Sequence, residues 1–116
     1  MKTQGTNKST EKYAQMAHPR IPIPKDEIVE FCRHNRITRL ALFGSVLGER
    51  FGPGSDVDVL VTFAPDAQIG FVTLGRIQRE LEELLQHQVD LVPQDGLKPT
   101  IRKSVLDGAE VIYAEG

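Results

Sequence analysis

Three aspartates and one Gly-Ser step are the residues of this 116-residue chain whose types and spacing could do chemistry. Asp56 and Asp58 flank Val57 at the mouth of a valine-rich run, Val57 to Phe63, that reads as a strand. Residues two apart in a strand point to the same face. The two carboxylates are therefore expected side by side, with Val57, Val59 and Val61 turned to a core. Adjacent carboxylates repel, and burying them unpaired is costly. A hard divalent cation resolves that conflict, and Mg²⁺ accepts one or two carboxylates together with substrate phosphates. The plainer reading is an exposed, idle pair at a strand edge. Aspartate is disfavoured in strands, so the pair asks for a reason in either case.

Gly44-Ser45 closes an earlier strand-like run, Ile37 to Phe43. A glycine at a strand end lets the backbone approach an anion, and a serine opening a helix can offer its hydroxyl and the helix N-terminus to phosphate. The same serine would equally serve as a helix N-cap. Asp90 lies between Val89 and Leu91 in a third strand-like run. If that strand neighbours the one carrying Asp58, a third carboxylate joins the pair. Three carboxylates suit two metal ions, one activating the attacking oxygen and both stabilising charge at phosphorus. A solvent-facing aspartate on an edge strand is the alternative.

The elements that must position these residues follow from periodicity. Ile28, Phe31 and Cys32 predict a helix over 25–35, opened by Asp26 and Glu27. Ser45 to about Phe51 reads as a short helix, Gly52-Pro53-Gly54 as a turn, and 64–68 as a loop. The longest helix is expected over 70–86, with Phe71, Leu74, Ile77, Leu81 and Leu84 on its apolar face. Val89 to Val92 reads as a strand, 97–107 as a helix and Glu110 to Tyr113 as a last strand. Helices alternating with strands favour a sheet covered by helices. The interval from Gly44 to Ser55 is too short for a crossover helix, so the first two strands are expected antiparallel and the sheet mixed.

Composition bounds the rest. Forty per cent apolar and 26% charged residues are ordinary for a globular domain, and the net charge of −2 offers no global basic field, which argues against direct nucleic-acid binding. Residues 1–20 are expected to be a flexible basic tail, preceding a domain over 21–116. Within 1–25, Lys2, Lys8, Lys12, Arg20 and Lys25 stand against Glu11 alone. The single cysteine, Cys32, excludes an internal disulfide and fits the cytoplasm; in its helix it reads as a packed thiol rather than a nucleophile. No apolar run is long enough to span a membrane. His18, His34 and His87 lack a metal-ligand spacing and are expected on the surface. Arg39, Arg50, Arg102 and Lys103 are read as solvated surface charge, with phosphate or partner contact as the alternative.

Gly44-Ser45, then ten residues, then Asp56-x-Asp58, with Asp90 inside Val89-Asp90-Leu91-Val92, resembles the minimal nucleotidyltransferase family of the DNA polymerase beta superfamily. The resemblance runs from about residue 25 to the C-terminus. It departs from the pattern at Glu49, where many members carry a second glycine; here Gly48 stands one place earlier. The family's fold is of α/β (α+β) class, a palm-like mixed sheet with helices packed on it. The resemblance implies that Asp56 and Asp58 bind both Mg²⁺ ions. It further implies that Asp90 binds the catalytic one and helps activate the acceptor hydroxyl, and that Gly44 and Ser45 bind the β- and γ-phosphates of ATP. Larger superfamily members append domains for the acceptor, and a chain of this size has no room for one. Stand-alone members resemble antitoxins of HEPN-type toxins that silence the toxin by transferring AMP to it. The expected function is accordingly Mg²⁺-dependent nucleotidyl transfer to a HEPN-type partner. An antitoxin acting by occlusion and nucleotidyl transfer to a small molecule are the competing readings.

Overall fold

A computed structural model describes residues 21–49 and 51–115. The expected basic tail 1–20, His18 and Arg50 lie outside the described residues. Ile21 and Ile23 are buried and anchor the start of the described chain. Helix α1 (Lys25–His34) follows, its acidic first turn (Asp26, Glu27) and basic last turn (Arg33, His34) complementing the helix dipole. Strand β1 (Ile37–Phe43) leads into a four-residue 3-10 helix, Gly44–Leu47. Strand β2 (Val57–Phe63), helix α2 (Phe71–Leu85), strand β3 (Val89–Pro93), helix α3 (Pro99–Gly108) and strand β4 (Glu110–Ala114) complete the order.

The sheet order is β3-β2-β1-β4. The pairs β1–β2 and β1–β4 are antiparallel, and β2–β3 is parallel. The mixed sheet expected from the short Gly44–Ser55 interval is therefore present. The parallel pair is joined through α2, whose length supplies the crossover that a parallel connection needs.

Each face of the sheet has its own apolar cluster. Leu40, Leu42, Val57, Val59, Val61, Val89, Leu91 and Ile112 pack with Ile28, Phe31 and Cys32 of α1 and Ile77, Leu81 and Leu85 of α2. On the opposite face Ala41 and Leu60 meet Leu97, with Val105 and Leu106 of α3 packed against them. The sheet alternation assigns valines 57, 59 and 61 to the first face and Asp58 and Leu60 to the second.

Two expectations are corrected. The short helix expected from Ser45 to about Phe51 is a 3-10 turn that ends at Leu47, because Gly48 caps it with extended backbone. The apolar face of α2 begins later than expected. Phe71 is 94% exposed and Val72 is 87% exposed, whereas Ile77, Leu81 and Leu85 are fully buried. The first turn is left to solvent, so the stripe that counts is the one spaced by four from Ile77. Cys32 is fully buried, and burial pushes its thiol up to about 12, which removes it as a nucleophile.

These packing assignments are testable by truncation. Leu81→Ala should cost about 2–5 kcal/mol of unfolding free energy, whereas Phe71→Ala should stay within about 0.5 kcal/mol of wild type. Urea denaturation of both variants checks this, and equal losses would show that the α2 stripe has been misplaced.

Candidate active site

The site is built where β1 ends and where β2 and β3 begin. In the parallel ladder Val57 pairs with Val89, Asp58 with Asp90 and Val59 with Leu91. Asp58 and Asp90 are therefore direct neighbours on the same face, about 4.8 Å apart in the hydrogen-bonding direction. β2 begins at Val57, as expected, so Asp56 precedes the strand and lies outside the strand alternation expected to set it beside Asp58. It still acts on Asp58. Burial first, then the charge of Asp90, then that of Asp56, hold the Asp58 carboxyl above its ordinary value. Asp58 is half-buried, while Asp56 and Asp90 are exposed.

Gly44 supplies the third wall. Its backbone has φ +77°, in the left-handed region, and a Cβ built there would stand 2.2 Å from Oδ2 of Asp58. Only glycine lets the end of β1 lie this close to that carboxylate. Ser45 is exposed and caps nothing, so the N-cap alternative is not realised.

The strands are held from outside by α2. The β3 edge offers the amides of Val89 and Leu91, on either side of Asp90. Val89 N donates to Glu82 Oε2 at 3.1 Å, and Leu91 N donates to Gln78 Oε1 at 3.4 Å. Before β2, the turn over Gly52–Ser55 closes on itself: Ser55 N donates to Gly52 O at 3.0 Å, and Gly52 N donates to Ser55 Oγ at 3.2 Å. Sequence reading missed Gln78 and Glu82. Their only signal was an i, i+4 spacing one residue beyond Ile77 and Leu81. It also placed His87 on the surface, whereas this residue is half-buried with its Nε2 2.5 Å from Ser55 O. His34 is exposed as expected.

The candidate cations divide. Arg102 is half-buried and donates to Leu97 O at 3.0 Å; Lys103 is exposed and paired with Asp107 at 2.8 Å; Arg39 is exposed on β1. A cavity of about 920 Å³ is a groove between α1 and α2 lined by acidic side chains including Asp26, Glu30 and Glu83. It lies on the first face, away from the carboxylates, and its size does not outweigh the chemistry gathered around Asp58.

Among the described residues, no three His, Cys, Asp or Glu side chains form a ready-made cage for a cation. The expected three-carboxylate cluster is thus not preassembled; what the ladder brings together is the Asp58–Asp90 pair, and Mg²⁺ is typically held by one or two carboxylates and completed by substrate phosphates and water. A half-buried carboxylate crowded by two others, with a glycine backbone against it, fits such a partly built centre.

Two outcomes follow from this geometry. The protonated form of Asp58 contributes stability that is fully present below the unfolded value of 3.8 and lost as pH rises through the raised folded value. Asp58→Asn mimics that form. In chelator it should raise Tm at neutral pH, and the gain should shrink to nothing as pH falls into the ordinary carboxylate range. Thermal melts across pH decide it, and a lower Tm at neutral pH would contradict the repulsion. Gly44→Ala should cost about 1–2 kcal/mol from the left-handed backbone alone and should also drive the Asp58 carboxylate aside. Denaturant unfolding reads the first effect, and the carboxyl chemical shift of Asp58 reads the second.

Comparison with known proteins places this geometry. Residues 25–112 match the family model described as the nucleotidyltransferase domain. A protein of Methanocaldococcus jannaschii, described provisionally as a protein adenylyltransferase, is 28% identical over 85 residues, covering 73% of this chain and 89% of that one. A solved structure described provisionally as a minimal nucleotidyltransferase is 32% identical with a TM-score of 0.61, covering 73% of this chain and 85% of the other. A chain of the solved complex of a tri-AMPylated Shewanella oneidensis HEPN toxin with its MNT antitoxin superposes with a TM-score of 0.56 at 21% identity, covering 78% and 69%. No helix among the described residues is long and apolar enough to cross a membrane. With most of its length matched by one family model and its mixed sheet shared with these structures, the chain belongs to the nucleotidyltransferase domain family.

Proposed function

We propose that this nucleotidyltransferase moves AMP from ATP to a hydroxyl of a HEPN-type toxin, and so acts as that toxin's antitoxin in the cytoplasm. The observation that carries the reading is the in-register pairing of Asp58 with Asp90, with Asp56 adding its charge from the preceding loop. Asp56, Asp58 and Asp90 would hold two Mg²⁺ ions, and Gly44 and Ser45 would face the phosphates. When bound, Mg²⁺ neutralises the triphosphate and stabilises charge developing at phosphorus. Asp90, exposed at the start of β3, would take the proton of the incoming hydroxyl. In the transfer, that oxygen bonds to the α-phosphorus, and the bond to the pyrophosphate leaving group breaks.

Support for the acceptor comes from relatives. The Methanocaldococcus protein carries an adenylyltransferase name, and the Shewanella complex holds an AMPylated HEPN toxin with an MNT antitoxin. An occluding antitoxin would use the same fold without chemistry, and transfer to a small molecule would need no partner.

One pair of experiments separates these. Isothermal titration of Mg²⁺ with a non-hydrolysable ATP analogue should show metal-dependent binding to wild type and none to Asp56→Ala/Asp58→Ala. With a HEPN-type toxin present, wild type should add AMP-sized mass to the toxin by mass spectrometry, and the double variant should not. Neutralisation that survives the double substitution would establish occlusion instead. Label appearing only on small acceptors would establish the third reading.

A further inference from the structure

Asp56 is the least supported of the three carboxylates. It lies outside the β2 ladder and it is exposed. What fixes it must therefore act on the peptide units around it. The two sides are tied to adjacent residues, one to His87 and the other to Gln88. Ser55 O, just before Asp56, is 2.5 Å from Nε2 of His87. Val57 N, just after it, donates to Gln88 O at 2.8 Å. A carbonyl oxygen only accepts, so Nε2 of His87 carries the proton in this contact. The imidazole also lies against Phe51, with ring centroids 4.9 Å apart and planes tilted by 38°, so the loop is held at its start as well as its end.

His87 follows the C-terminus of α2, where Gln86 adopts a left-handed conformation, and it stands three residues before Asp90. One side chain thus connects the loop that carries Asp56 to the segment that carries Asp90. We propose that His87 is a positioning residue, which sets the distance of Asp56 from Asp58 and Asp90 and thereby the affinity of the site for divalent metal. This inference rests on the reading of the three aspartates as a metal centre. Groups that orient metal ligands are typically worth about 10–100-fold in affinity.

The test uses the full chain with two substitutions. His87→Phe keeps an aromatic ring against Phe51 but removes the donor to Ser55 O. His87→Gln loses the ring but returns an N–H at a similar reach. Mn²⁺ binding is followed by electron paramagnetic resonance with a non-hydrolysable ATP analogue, and Val57 amide exchange is followed on the metal-free proteins. His87→Phe should weaken Mn²⁺ by about 10-fold and His87→Gln should return it to within about 2-fold of wild type. Val57 exchange should quicken in the Phe variant and recover in the Gln variant. A residue that merely fills space would show the opposite order, with Phe close to wild type and Gln impaired, and that result overturns the proposal. So does Mn²⁺ affinity unchanged in both variants. If wild type itself binds no Mn²⁺, the metal-centre reading fails and this proposal fails with it. The exchange data then show separately whether His87 holds the loop.

Discussion

Two like charges stand opposite each other in a sheet, and most of the structure around them can be understood as what keeps them there. Asp58 and Asp90 are ladder partners in the parallel pair of β2 and β3. Like charges directly opposite destabilise a strand pair. At 4 Å the repulsion is about 1 kcal/mol in water and about 4 kcal/mol in the intermediate dielectric of a protein surface. The other face of the same strands decides the register. Val57, Val59, Val61, Val89 and Leu91 are all buried there, each contributing roughly 1.5–3 kcal/mol. A slip by one residue would separate the aspartates but turn a whole strand's apolar set to the wrong face. The hydrophobic term is the larger, so the core imposes the carboxylate pair and the pair bears the repulsion. A site that gains from binding cations is a natural use for charges held together in this way.

Gly44 shows the same constraint from the β1 side. Phe43 is the ladder partner of Asp58, and the chain must leave the strand immediately afterwards. A side chain at 44 would occupy the space of the Asp58 carboxylate. The glycine therefore does two things with one backbone conformation: it turns the chain into the 3-10 helix, and it leaves the carboxylate seated against the main chain. Ser45 is then exposed to solvent with no capping duty.

Much of this was legible in the sequence, for identifiable reasons. β1 and β2 were read with the bounds they have, because their apolar runs are closed by a glycine and opened by a Gly-Pro-Gly turn. The antiparallel pairing followed from the short interval between them. The adjacency of Asp90 needed only that β3 lie beside β2, and a parallel crossover through a long helix supplies that. Local periodicity failed where tertiary position decides. Phe71 matches the apolar spacing of α2 but sits in its first turn, exposed to solvent. Asp56 matches the strand alternation but precedes the first ladder residue. His87 has no motif around it; its role depends on a backbone carbonyl 32 residues earlier, and no pattern of side-chain types reveals such a partner.

The phase of α2 links these parts. Its buried stripe, Ile77, Leu81 and Leu85, docks the helix on the first face of the sheet. Positions one residue further on, Gln78 and Glu82, are turned about 100° from that stripe, which brings them to the β3 edge, where they accept from the amides flanking Asp90. The edge is thereby satisfied without another strand, and a parallel edge strand is spared the open pairing that invites association. The same docking fixes where the helix stops. After Leu85, a left-handed Gln86 reverses the chain so that His87 meets Ser55 and Gln88 meets Val57. Rotating α2 by a single residue would lose both edge contacts and withdraw His87 from the Asp56 loop. The apolar spacing of one helix therefore helps set the positions of two carboxylates through the backbone around them, so that core packing and site geometry depend on each other.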